Sequence, residues 1–236
     1  MKSSAWLLDQ DQYPPFVGFP KEAFRFFAQL RKNNHREWFE KHKHEYESFV
    51  RLPMQSLIAS LRPQFTRFAP EFDLNPKRSI FRIYRDVRFS KDKTPYKTHV
   101  AAHIVLAGKP KGFVGSGYYL HVEPSECFVG GGIYVPDGEQ LKKIRKAIAG
   151  RGKEFLSILN ERSFKKRFGK IEGAKLQRVP RGYDDAHPMA EWLKLKQFFV
   201  GVSLKGEECF KPGFAGLAAR ICEDAAPLVR FLNGAL

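Results

Sequence analysis

The densest chemistry in the chain lies between Phe81 and Thr98. Arg82, Arg85, Arg88, Lys91, Lys93 and Lys97 crowd this run, with Asp86 and Asp92 among them and Tyr84, Phe89 and Tyr96 interleaved. A guanidinium is a planar fork that meets phosphate or carboxylate with two hydrogen bonds. Ser90 and Thr94 add neutral donors suited to an oxyanion. The chemistry within reach of such a set is anion recognition. Read as a strand over Ser79–Phe89, the side chains alternate between faces. Arg82, Tyr84, Asp86 and Arg88 then share one face, and Phe81, Ile83, Arg85, Val87 and Phe89 the other. Arg82 and Arg88 become ligand candidates, with Asp86 placed to orient one of them, and Lys93, Tyr96 and Lys97 join them from the turn. Arg85 falls in the apolar row, where an unpaired charge is costly. It is assigned to a structural ion pair, with an acid from a packed helix as the expected partner. The plainer account of the whole run is a hairpin whose charges pair among themselves.

Histidines supply the next candidates. His99 and His103 share a strand face, but four residues of strand separate them by roughly 13 Å, too far to share one metal. His103 and His121, with Glu123 on the face of His121, have the composition of a zinc or iron set if the strand register brings them together. Histidines on strands are more often simple polar-face residues, and no metal and no cofactor is assigned. A general acid or base role for His103 or His121 beside the arginines is the better chemical reading, because imidazole titrates near neutral pH. The candidate ligand-binding set is therefore Arg82, Asp86, Arg88, Lys93, Tyr96, Lys97, His103 and His121, with no catalytic residue named.

Other motifs carry less. Gly130-Gly131-Gly132 could let a ligand or a helix approach a sheet closely, a bulge or tight packing being the ordinary explanation. The run Gly108–Gly117 is Gly-rich and basic, yet it does not match GxxxxGK[ST], and Pro110 removes a backbone donor, so a hairpin loop is expected. GxGxxG, GxSxG and HExxH are absent. Cys127, Cys209 and Cys222 form no CxxC, which argues against a zinc ribbon or a redox pair and fits a reducing compartment.

These residues need elements to hold them. From Pro20, Phe24, Phe26, Phe27 and Leu30 fall at helical spacings, and Asn33-Asn34 is a stop. His35–Phe49 reads as an amphipathic helix, and Pro53 opens a third with Leu57, Ile58, Leu61 and Phe65 inward. The period then changes to two. Val100, Ala102, Ile104 and Leu106 mark one strand, Tyr118, Leu120 and Val122 another, and Cys127–Val135 a further one. Leu141, Ile144 and Ile148, then Phe155, Leu156 and Leu159, mark helices after Asp137-Gly138. His187-Pro188 opens Met189–Leu195, Phe198–Val202 reads as a strand, and Phe214–Leu232 closes the chain as a helix interrupted by Pro227. The expected fold is α+β, an antiparallel meander flanked by N-terminal and C-terminal helices. A single domain over 1–236 is expected, helical over 20–68, β-rich over 78–136 and mainly helical over 138–232.

The run Arg85–His99, RDVRFSKDKTPYKTH, resembles the signature of a widespread family catalogued as a domain of unknown function. The likeness extends upstream to Asn33–Phe39 and downstream to Tyr183–Pro188 and Leu193–Lys196, and so covers most of the chain. It implies no activity, cofactor or catalytic residue.

With 22 phenylalanines and 43% hydrophobic residues, 236 residues hold ample material for a packed core. The net charge of +16 favours anionic partners. No run approaches the ~20 apolar residues of a membrane span. Asp9 and Asp11 interrupt the short apolar run after Met1, so no secretory leader is expected and the cytoplasm is the expected location. Three readings follow: a site for a phosphorylated or carboxylated small molecule, with or without enzymatic activity; a nucleic-acid module using Tyr84, Phe89 and Tyr96 for stacking and the cations around Lys142–Lys146, Arg151, Lys165 and Arg167 for phosphates; and a non-catalytic protein-interaction domain.

Overall fold

Helix α1 (Lys21–Lys32) buries Ala23, Phe26, Phe27 and Leu30, the residues its 3.6-residue period aligns, and stops at Asn33. The computed structural model describes residues 13–109, 115–171 and 173–236. Residues 1–12, where no secretory leader is expected, lie outside these, as do Pro110–Val114 of the Gly-rich loop. Beyond His35 one helical path continues from α2 (Arg36–Glu45) through a π-helical turn (Tyr46–Arg51) into α3 (Leu52–Phe68). Pro53 therefore does not open a separate helix. It has no N–H to donate back along the helix, and the wider turn immediately before it shifts the hydrogen-bond register where that donor is missing.

Short β1 (Phe72–Asp73) and the helical turn α4 (Pro76–Ser79), capped by the Asn75 side chain, lead into the charged run. The sheet continues with β2 (Val100–Leu106), β3 (Gly117–Val122), β4 (Glu126–Ile133) and, after α5 (Gly138–Gly150), α6 (Gly152–Asn160), α7 (Arg162–Phe168) and α8 (Ala190–Leu193), β5 (Phe198–Lys205). The five strands form one antiparallel sheet in sequence order. A 3-10 turn (Gly206–Phe210) precedes α9 (Phe214–Asn233), which continues through Pro227. The fold is α+β, as the change of period implied.

The strand expected over Ser79–Phe89 is not a regular strand. Only isolated antiparallel bridges form, Ile80 with Ala102 and Tyr84 with Tyr96. Phe81 N–H donates to Ala101, Arg85 N–H to Pro95 and Lys97 N–H to Ile83, so two irregular arms run side by side and close through Asp86–Thr94.

The chain resolves into two compact units. The first comprises the described residues up to Ile104 with Tyr119–Phe128 and Ser203–Ala219. Its core gathers Phe26, Phe27, Phe39, Met54, Leu57 and Phe65. The second comprises the described parts of Val105–Tyr118 and Val129–Val202 with Arg220–Leu236. Here the glycine triplet is explained by packing. A Cβ on Gly131 would meet Val229 at 3.0 Å and Ala225 at 3.1 Å, and one on Gly132 would lie 2.2 Å from the Phe198 carbonyl oxygen. The triplet admits α9 and a neighbouring strand.

Candidate functional site

Alternation on β2 and β3 divides most of their residues, the small Ala101 being buried on the polar face as well. Val100, Ala102, Ile104, Tyr118, Leu120 and Val122 are buried, whereas His103, Tyr119 and His121 on the opposite face are half-buried. Glu123, just past β3, and His99, just before β2, continue this second face, and both are half-buried. The charged excursion Arg82–Thr98 rises beside it, and its two ends behave differently.

The base of the excursion is tied into the first unit. The Asn34 amide donates to the Tyr96 carbonyl at 2.9 Å and accepts from the Tyr96 N–H at 3.0 Å, replacing a strand partner with a side chain. Tyr96 is 2% exposed, and its ring stacks on Phe39 at 4.2 Å. Tyr96, expected to face a ligand, therefore belongs to the core. The two stretches that carried the family likeness, Asn33–Phe39 and Arg85–His99, meet through this clamp. The site lacks Tyr96 but gains a rigid reason for the position of Lys97.

Lys97 is half-buried, with its ammonium 5.4 Å from the centre of the Phe81 ring. Its pKa is pushed down by burial and then by the positive charge of Arg82. Neither Lys97 nor Arg82 forms an ion pair among the described residues, although the charge of Arg82 reaches the Asp86 carboxylate. Arg82 is exposed.

The tip pairs its own charges. Arg85 hydrogen-bonds to both Asp92 and Thr94, so its partner comes from the same excursion and not from a packed helix. Arg88 grips Asp86 through Nε at 3.0 Å and Nη2 at 2.7 Å. These contacts hold the carboxyls of Asp86 and Asp92 down to about 2. Lys93 donates to the Val87 carbonyl at 3.0 Å. Phe89, 95% exposed, lies under the Arg88 guanidinium at 5.8 Å. Of the cations expected to bind a ligand, Arg88 is paired with Asp86 and Lys93 is bound to a backbone carbonyl, whereas Lys97 meets the Phe81 ring and neither it nor Arg82 forms an ion pair among the described residues.

The histidines meet in a different register from the expected one. His121 faces His99, with ring centres 4.4 Å apart, whereas the ring of His103 lies parallel to Phe81 at 6.3 Å. Ten residues separate the end of β2 from the start of β3, so His121 returns beside the beginning of β2 and not its middle. His121 Nε2 is 3.7 Å from a Glu123 oxygen, and its Nδ1 is 3.2 Å from the Tyr119 hydroxyl. Burial pushes the pKa of all three histidines down, that of His99 to about 4 with help from the charges of His121 and Lys97. The shift favours the neutral imidazoles, which offer lone pairs. His99 lies outside the candidate set because four residues of strand separate it from His103, the expected neighbour of His121. Its shared parity with His103 was the available signal, and the sequence could not say which of them His121 would meet.

The second unit engages much of the other basic surface. Arg145 donates to the Leu193 and Leu195 carbonyls, Arg167 pairs with Asp224 at 2.7 Å, and Arg151 lies 4.5 Å over Phe231. His187 Nδ1 accepts from the Met189 N–H at 3.0 Å, giving the His187-Pro188 turn a local structural role. The three cysteines are free and buried. No helix among the described residues is long and apolar enough to cross a membrane.

No curated protein and no solved structure matches the chain. A family model does, over residues 22–231, which span both stretches joined at the Asn34 clamp and the whole of the histidine face. The chain belongs to the conserved hypothetical protein family DUF2461.

Proposed function

We propose that the half-buried face of the first unit binds a small phosphorylated or carboxylated molecule, with Arg82 and Lys97 as its anchors. One observation carries the reading. Two cations are held as neighbours, one of them half-buried, and neither forms an ion pair with a carboxylate among the described residues. A half-buried cation with a second positive charge beside it is unfavourable unless an anion joins them. A phosphate or carboxylate between the Arg82 fork and the Lys97 ammonium meets that need with charge-assisted hydrogen bonds. Asp86, Arg88 and Lys93 drop out of the anchoring set because they satisfy one another or the backbone.

Calorimetric titration of phosphate monoesters and dicarboxylates in EDTA-containing buffer tests this. Arg82→Ala and Lys97→Ala should each weaken a bound anion roughly tenfold or more, the scale of one charged hydrogen bond. Arg88→Ala should leave affinity within about twofold. Failure of every such anion to bind at low salt ends the reading.

A second reading rests on the tip. Phe89 stands exposed on a chain of net charge +16, a combination that can stack on an unpaired base while the surrounding positive charge attracts its backbone. Nucleic acid binding there would be lost in Phe89→Ala, fall steeply with salt, and survive Lys97→Ala.

A further inference from the structure

We infer that His99, His121 and Glu123 form a binding site for one divalent transition-metal ion of the zinc class. The inference does not depend on the anion reading, because it rests on other side chains. Two imidazoles and one carboxylate are a donor set that zinc and ferrous iron take, and three protein donors leave coordination positions for water or a ligand.

Geometry supports the set. One donor atom from each residue lies within 4.8 Å of the other two. Donors bound to one ion at about 2.1 Å stand roughly 3–4 Å apart, so side-chain rotation alone closes the remaining distance. The positions are fixed by backbone: His121 lies on β3, Glu123 just past its end, and His99 immediately ahead of β2. The side chains of His121 and Glu123 keep 19% and 27% exposure, sheltered from bulk water yet reachable by an ion.

A further contact orients the set. Tyr119 on the same strand face places its hydroxyl 3.2 Å from His121 Nδ1. With the Nδ1–H donating to that oxygen, the Nε2 lone pair points toward the Glu123 side, 3.7 Å from its carboxylate. An outer hydrogen bond that fixes the tautomer of a ligating histidine is a regular part of metal sites. A polar-face explanation of the three residues does not require Tyr119 to select one nitrogen. Lys97 acts electrostatically on His99, so an anionic ligand of the bound ion would meet a cation beside it.

The test uses the full chain without a polyhistidine tag, stripped with EDTA, dialysed, and titrated in the absence of any candidate anion. Zinc binding is followed by calorimetry, and cobalt(II) binding by visible absorption. One ion per chain is expected, with cobalt d–d bands and no thiolate charge-transfer band. His99→Asn and Glu123→Gln should each weaken zinc by roughly 100-fold, and Tyr119→Phe by about tenfold. Circular dichroism and melting in EDTA identify any variant that fails to fold, and the remaining variants then decide. Absence of stoichiometric binding overturns the inference, as does binding of unchanged affinity in the folded variants. Because no anion is present and the anion titrations contain EDTA, the two results fail separately.

Discussion

The base and the tip of the Arg82–Thr98 excursion are built from the same residue types and differ in what their charges do. At the tip, Asp86 and Asp92 sit within a few residues of Arg88 and Arg85, and the turn folds each pair together. At the base, bridges between the two arms bring Arg82 and Lys97 close, and no carboxylate is paired with either among the described residues. Charge density along a sequence therefore says little about available charge. A cation at the turn is neutralised by an acid that the same turn folds onto it. Cations that strand-like pairing makes neighbours have only what the rest of the fold supplies. The base is also anchored through Tyr96, Phe39 and Asn34, whereas Phe89 at the tip is almost fully exposed.

That contrast can be broken most forcefully through its anchor. Tyr96→Ala removes a buried ring and should destabilise the chain by about 3–5 kcal/mol in urea unfolding, while Phe89→Ala should change stability by under about 0.5 kcal/mol. Equal effects would dissolve the distinction between anchored base and free tip. Asn34→Ala leaves the Tyr96 N–H and carbonyl without their partner and should cost about 1–3 kcal/mol by the same measurement. It should also speed exchange of the Tyr96 and Lys97 amide protons relative to those of the sheet.

The next expectation separates binding from stability. Arg82→Ala should reduce anion affinity at least roughly tenfold, yet leave the melting temperature of the free chain unchanged or slightly higher, because an unmatched cation is removed. Arg85→Ala should do the reverse, lowering the melting temperature slightly without changing anion affinity, since it takes away the partner of Asp92. The smallest effect is a titration. The folded-state value of Asp92, about 2, lies below its ordinary 3.8. The pair therefore contributes fully above about pH 4 and is lost as pH falls through about 2. Carbon-13 NMR should place the Asp92 midpoint near 2 in the wild-type chain and higher in Arg85→Ala, short of 3.8 because Thr94 still donates to the carboxylate, and an unchanged midpoint would deny that the tip consumes its own charge.

Much of the fold was readable from pattern alone. The period-two runs of β2 and β3 announced both the strands and their buried faces, because alternation follows directly from the pleat. The apolar spacing of α1 did the same for a helix. The strand over Ser79–Phe89 was misread because its alternation is as regular as that of β2, yet regular pairing needs a partner of matching length, and the returning arm supplies only isolated bridges. Tyr96 carried no mark distinguishing a buried ring from a ligand-facing one. Its burial depends on Phe39, which approaches from a helix far away in sequence.

By itself the sequence determined the α+β class, the two faces of β2 and β3, the family, and the concentration of cations between Arg82 and Thr98. These depend on local periodicity and composition, which every residue carries with it. The tertiary structure alone decided that His121 meets His99 and not His103, because that depends on how the chain returns after the turn. It alone decided that Arg88 and Lys93 have hydrogen-bond partners while, among the described residues, Arg82 and Lys97 form no ion pair, because such partners are set by distance in space. A side chain's type says what it can bind, and only the packed chain fixes which partners lie within three or four ångströms.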